Sequence, residues 1–171
     1  GAVEINVGDV ITGLKNFRNS LYVFCKNRIF KIVTDPVTTY AVQLVTGQIG
    51  CIASDTIQEV GGDIIYLAPD GFRSVAGTFN IGDVDLSLQS KAIQPLIRTS
   101  VVGDVNISQY ISFLVRKKSQ YRCLFYDSTI SKANSLGLIG KVTQGSYLSG
   151  FNQTFITYEW STTIGIQAYC G

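Results

Sequence analysis

The chain has 171 residues, 46% hydrophobic and 15% charged. That balance excludes a disordered tail and suffices for one sizeable core or several small stacked ones. The net charge of +2 carries no cationic footprint for nucleic acid, and no apolar run approaches the roughly 18 to 20 residues that span a bilayer.

Seventeen glycines, nine tyrosines and nine phenylalanines, with turn signals throughout, favour an all-β class. The first residues, GAVEINVGDV, show no signal peptide, and Val3, Ile5 and Val7 alternate with polar residues as in a half-buried lead-in strand. A first meander is expected from strands at Val10 to Phe17, Leu21 to Cys25 and Arg28 to Val33. Asp35-Pro36 breaks it, and an outer strand follows at Thr39 to Val45.

The second unit, Cys51 to about Gly77, contains two tight turns, Gly61-Gly62-Asp63 and Pro69-Asp70-Gly71. Glycine accepts the positive φ of hairpin turns, Pro69 presets a turn dihedral, and Asp can hydrogen-bond its own backbone. A 43-residue shift repeats the unit without a gap, laying Leu14 on Ile57, Phe17 on Val60, Leu21 on Ile64, Val23 on Tyr66, Phe24 on Leu67, Ile29 on Phe72 and Ile32 on Val75. Asn19-Ser20 falls on Gly62-Asp63, and Asn27-Arg28 on Asp70-Gly71. A period in the low forties built from short strands is the pattern of a β-propeller blade.

Between the second and third units, Asp85 to Ile97 reads as one short inserted helix with Asp85 as N-cap, although Pro95 falls inside it. Residues 101 to 107 return to the β pattern. A third meander is expected from near Ile111, through Tyr121 to Tyr126 and Leu136 to Val142, to an outer strand at Thr154 to Trp160. Its first turn, around Arg116-Lys117-Lys118, is longer than in the earlier copies, and Asp127 to Ser135 is an insertion. Thr163 to Ala168 resembles Gln48 to Ala53, the entry to the second unit.

The zero histidine count removes the commonest general base, the Ser-His and Cys-His nucleophile systems and the usual transition-metal ligand together. A glycosidase needs only two carboxylates, and Glu59 with Asp63 or Asp70 are candidates, but these acids occupy turn positions where Asp serves conformation. No catalytic residue, cofactor or metal is expected. Asp83-Val84-Asp85 has the opening spacing of a calcium loop, yet Leu88 and Gln94 stand where its Gly and Glu belong. Arg116-Lys117-Lys118 reads as a solvated hairpin tip. Asn106 and Asn152 open glycosylation triplets by pattern alone. Tyr158 and Trp160 are candidates for a glycan platform, against the alternative that they pack one blade on the next. Cys25, Cys51, Cys123 and Cys170 show no C-x-x-C and read as buried free thiols, with a disulfide as the alternative.

The succession INVGDVITGLKNFRNSLYVFCKNRIFKI at 5 to 32, QIGCIASDTIQEVGGDIIYLAPDGFRSVAGT at 48 to 78, SKAIQPLI, VRKKSQYRCLFY at 115 to 126 and GLIGKV at 137 to 142 resembles a family of tailed-bacteriophage virion structural proteins that carry a β-propeller. The resemblance covers most of the chain and supplies no catalytic motif. It implies a structural component of the particle, at the tail or head-tail junction. Its expected partners are other virion proteins and copies of itself, with no specific nucleic acid and no membrane.

The expectation is therefore an all-β, β-propeller-like array of about three antiparallel meander blades with one short inserted helix. It forms a single domain over 1–171, read as a fragment of a longer chain because the sequence lacks methionine. The alternative is a carbohydrate-binding propeller domain used in host adhesion, its partner a host glycan. Three blades do not close a ring of about four to eight, so an open sheet face is expected, with contact between copies near Ile164, Ile166 and Tyr169.

Overall fold

The computed structural model describes residues 4–36, 39–76, 89–101, 107–125, 136–143 and 157–165. They form three antiparallel meanders and a short helix. The first sheet has the order β1 (Ile11–Phe17), β2 (Ser20–Cys25), β3 (Ile29–Asp35), β4 (Thr39–Thr46). The middle sheet contains β5 (Gln58–Val60), β6 (Asp63–Ala68) and β7 (Gly71–Ser74). The third runs from β8 (Ile111–Val115) through β9 (Gln120–Leu124) and β10 (Leu136–Thr143) to β11 (Thr157–Ile164). Within each sheet every strand pairs with its sequence neighbour, tight turns joining β1 to β2, β2 to β3, β5 to β6 and β6 to β7, and none of the three sheets closes on itself.

The repeated turns share a conformation. Arg18 and Asn19 have φ of 47° and 58°, and their counterparts Gly61 and Gly62 have 59° and 86°. Two successive positive φ values give the primed turn whose twist matches the flanking strands. Gly71 is also at positive φ, 143°. In the third meander the longer turn is a 3-10 turn, Arg116–Lys118, closed by Ser119 in the left-handed region at φ 50°.

The sheets stack in chain order. Tyr22, Phe24 and Ile29 of the first sheet pack on Ile64, Tyr66 and Ala68 of the middle one, with Phe24 and Tyr66 at 5.3 Å between ring centroids. On the opposite face of β6, Ile65 and Leu67 join Tyr121, Cys123 and Leu138 of the third sheet in a second core. The middle sheet is thus buried on both sides, and all five residues from Ile64 to Ala68 are at most 1% exposed. Strict alternation along β6 assigns its side chains to the two cores in turn.

The helix differs from expectation in position. A 3-10 turn at Lys91–Ile93 leads into α1 (Gln94–Val101), so Pro95 lies in the first helical turn, where no amide partner is lost. Val101 is helical rather than extended because Ile97 and Val101, four residues apart, share the face buried in the second core. Asp85 lies outside the described residues. The lead-in also differs: burial alternates along residues 4–9 but no ladder forms. That segment is held instead by Asp9, whose carboxylate accepts the Asn27 amide at 2.7 Å.

Candidate assembly surface

The three sheets meet at a 3-10 turn, Ser54–Thr56, just before β5. The Thr56 hydroxyl donates to the Ala53 carbonyl at 2.6 Å and accepts the Leu67 amide at 3.1 Å. The third sheet docks onto the same turn. Tyr121 donates its hydroxyl to the Thr56 carbonyl at 2.9 Å, and Ser112 donates to the Asp55 carbonyl at 2.6 Å. Gln58 donates in return to the Ser112 carbonyl at 3.1 Å. Backbone and hydroxyl groups pinned in this way fix how the sheets sit on one another.

The turn residues serve structure. The Asp63 carboxylate accepts the amides of Ile64 at 2.7 Å and Ala76 at 2.9 Å, tying the first turn to the end of β7. Burial pushes its pKa up, against the pull of those same amides. Asp70, between Pro69 and Gly71, grips Arg73 through both carboxylate oxygens, with Nε to Oδ1 at 2.9 Å and Nη2 on Oδ2. Arg73 is 1% exposed, so this bidentate pair satisfies a buried cation. The Asp70 and Arg73 spacing of three was readable in sequence and was missed. Glu59 is exposed at the rim of a cleft of about 290 Å³ between the middle and third sheets, lined also by Arg116 and Gln120. A second cleft, about 190 Å³, opens between the first and middle sheets beside Arg18, Lys31 and Asp63.

Trp160 packs between sheets. Its ring stacks on Phe72 of β7 at 5.0 Å and 20°, meets Tyr121 edge-on, and donates its indole N–H to the Gln89 carbonyl at 2.8 Å. Tyr158 is tilted against it at 5.6 Å, and burial drives the phenol's pKa up. The pair thus makes packing contacts between the middle and third sheets.

Cys25, Cys51 and Cys123 are buried free thiols. Burial pushes the Cys51 pKa up to about 11 and that of Cys123 higher still. Among the described residues, no group of three or more His, Cys, Asp or Glu side chains is arranged to hold a metal. No helix there is long and apolar enough to cross a membrane. The calcium-like stretch 83–85, Asn106, Asn152 and Cys170 lie outside the described residues, as do Ile166 and Tyr169. Ile164, at the end of β11, is 68% exposed.

The exposed apolar side chains concentrate on the first sheet. Its register forms two cross-strand rows on the face turned away from the middle sheet: Leu14, Val23, Phe30, Leu44, and Asn16, Leu21, Ile32, Val42. Leu14 is 60% exposed, Leu44 56%, Val42 41% and Leu21 37%. Neither row holds a charge. The chain matches no known protein-family model and no curated protein.

Proposed function

We propose that the chain is a non-enzymatic assembly module of a tailed-bacteriophage virion, at the tail or head-tail junction, working through protein-protein contacts. The observation that carries this reading is the uncharged apolar face of the first sheet, which suits burial by a neighbour rather than exposure to solvent. The resemblance of the ordered words over most of the chain supplies the class of particle. Three meanders stacked in chain order support a β-propeller-like array, each sheet acting as a blade.

The test is composition and position in the particle. Peptide mass spectrometry of gradient-purified virions should recover this chain at several copies per particle. A density map of the native particle should hold its three stacked meanders near the tail. Purified virions lacking the chain would overturn the reading. Glycan-array binding by the folded chain would move it toward host adhesion.

A further inference from the structure

We propose that the open face of the first sheet is the contact between two copies of this chain, related by a two-fold axis and stacked face to face. The inference rests on the assembly reading above and names its partner. Under the 43-residue repeat, Leu14, Leu21, Val23 and Ile32 of this face correspond to Ile57, Ile64, Tyr66 and Val75. All four counterparts lie in the core between the first and middle sheets. Among the described residues, the face is therefore patterned as a sheet-stacking surface that is covered only in part: Val23 in its middle is 4% exposed, while Leu14, Leu21, Val42 and Leu44 around it are exposed.

Charge decides between a second first sheet and the other terminal layer. The outer face of the third sheet carries Arg122 beside Ile139, and Lys141 paired across the ladder with Glu159. Pressing those charges against a face with none of its own would strip their water without supplying partners. A like face costs nothing of that kind, since apolar rows meet apolar rows at the roughly 10 Å spacing of stacked sheets. A two-fold contact also closes on itself, whereas head-to-tail stacking would continue into a ring or filament.

Four strands of about seven residues present a footprint of roughly 19 Å by 24 Å, about 450 Å² per copy. Two such faces bury about 900 Å², near the lower limit of about 1,000 Å² for a specific interface. The contact is therefore expected to be weak and concentration-dependent.

Sedimentation equilibrium from 1 to 100 μM tests it on the chain as it stands, with Leu14→Asp, Val42→Lys and Phe113→Asp beside the parent, each checked for native near-UV circular dichroism. Leu14 and Val42 lie on the open face. Phe113 is 38% exposed on the outer face of the third sheet. The parent and Phe113→Asp should approach twice the monomer mass. Leu14→Asp and Val42→Lys should stay monomeric, with an association constant reduced at least tenfold. A parent monomeric at 100 μM would overturn the proposal, as would open-ended growth in mass or a dimer lost only in Phe113→Asp. Each of those results would leave incorporation into the particle to be decided by its own experiment.

Discussion

Gly50 lies in the link from β4 to the second meander, at a place where two stretches of backbone touch. The Cys51 amide donates to the Cys25 carbonyl at 2.9 Å, which brings the link against the β2–β3 turn. A Cβ on Gly50 would press on the Cys25 carbonyl oxygen and stand 2.5 Å from the Lys26 carbonyl carbon and 2.6 Å from its oxygen. Non-bonded heavy atoms settle at roughly 3.5 to 4.0 Å, so the two backbones must separate by about 1 Å. The turn cannot yield alone, because the Cys25 amide donates to the Arg28 carbonyl at 2.8 Å and the Lys26 amide to the Val10 carbonyl at 2.9 Å.

Overpacking of this kind costs about 1 to 3 kcal/mol, and weakening the Cys51 to Cys25 hydrogen bond adds about 0.5 to 1.5 kcal/mol. The gain from a stiffer unfolded chain, about 0.4 to 1 kcal/mol, is smaller. Gly50→Ala should thus lose about 1 to 4 kcal/mol, lowering Tm by roughly 2 to 16 °C for a chain of this size. Gly47→Ala is the control. Its Cβ would meet only Leu44 Cδ2, at an ordinary 3.5 Å, and neither glycine has positive φ. Thermal melts by circular dichroism should show Gly47→Ala at or slightly above the parent and Gly50→Ala well below. A Gly50→Ala melt no lower than that of Gly47→Ala would refute the close-approach argument.

Three further expectations concern the turns and the junction of the sheets. Gly62→Val and Gly71→Val place a β-branched residue at positive φ and should each lose on the order of 1 to 3 kcal/mol, which melts matching the parent would contradict. Tyr121→Phe removes the hydroxyl that satisfies the Thr56 carbonyl at a fully buried site, at a cost of about 1 to 3 kcal/mol by urea denaturation; an unchanged midpoint would show that the carbonyl finds another partner. Asp63 has a folded pKa above its usual 3.8, so the folded state binds the proton more tightly than the unfolded chain. Its contribution to stability therefore improves as pH falls from neutral through that raised pKa and levels off below 3.8. Asp63→Asn keeps an oxygen acceptor for Ile64 and Ala76, so it should match or exceed the parent near pH 7 and lose ground to it on acidification. A constant difference in Tm across that range would mean that Asp63 is not perturbed by burial.

Much of the fold was legible because the repeat carries its own check. Apolar phase and turn chemistry agree across 43 residues, and the paired positive φ at Arg18-Asn19 and Gly61-Gly62 is the conformational form of that agreement. The Ser54–Thr56 turn was not legible, because its role depends on Tyr121 and Ser112 arriving from more than fifty residues away. Helix α1 was placed too early because Asp85 was read as a cap. The spacing of Ile93, Ile97 and Val101 was the better signal, since residues four apart share a helix face.

The strands also record which sheets are written for burial on two sides. The middle strand β6 reads DIIYLA, a continuous apolar run after its first residue, and it is covered on both faces. Strand β9, QYRCL, alternates Gln120 and Arg122 with Tyr121 and Cys123, and the polar pair lies on the face away from the second core, as in a terminal layer. Strand β2, SLYVFC, is of the β6 kind, yet Leu21 on its outer side is 37% exposed and its row neighbour Val42 41%. A sheet that had evolved to face water would be expected to carry polar residues at 14, 21, 42 and 44, as the third sheet does at 122, 141 and 159. The first sheet thus has the side chains of an interior layer at an outer position, a mismatch between pattern and place that the proposed contact with a neighbour would resolve.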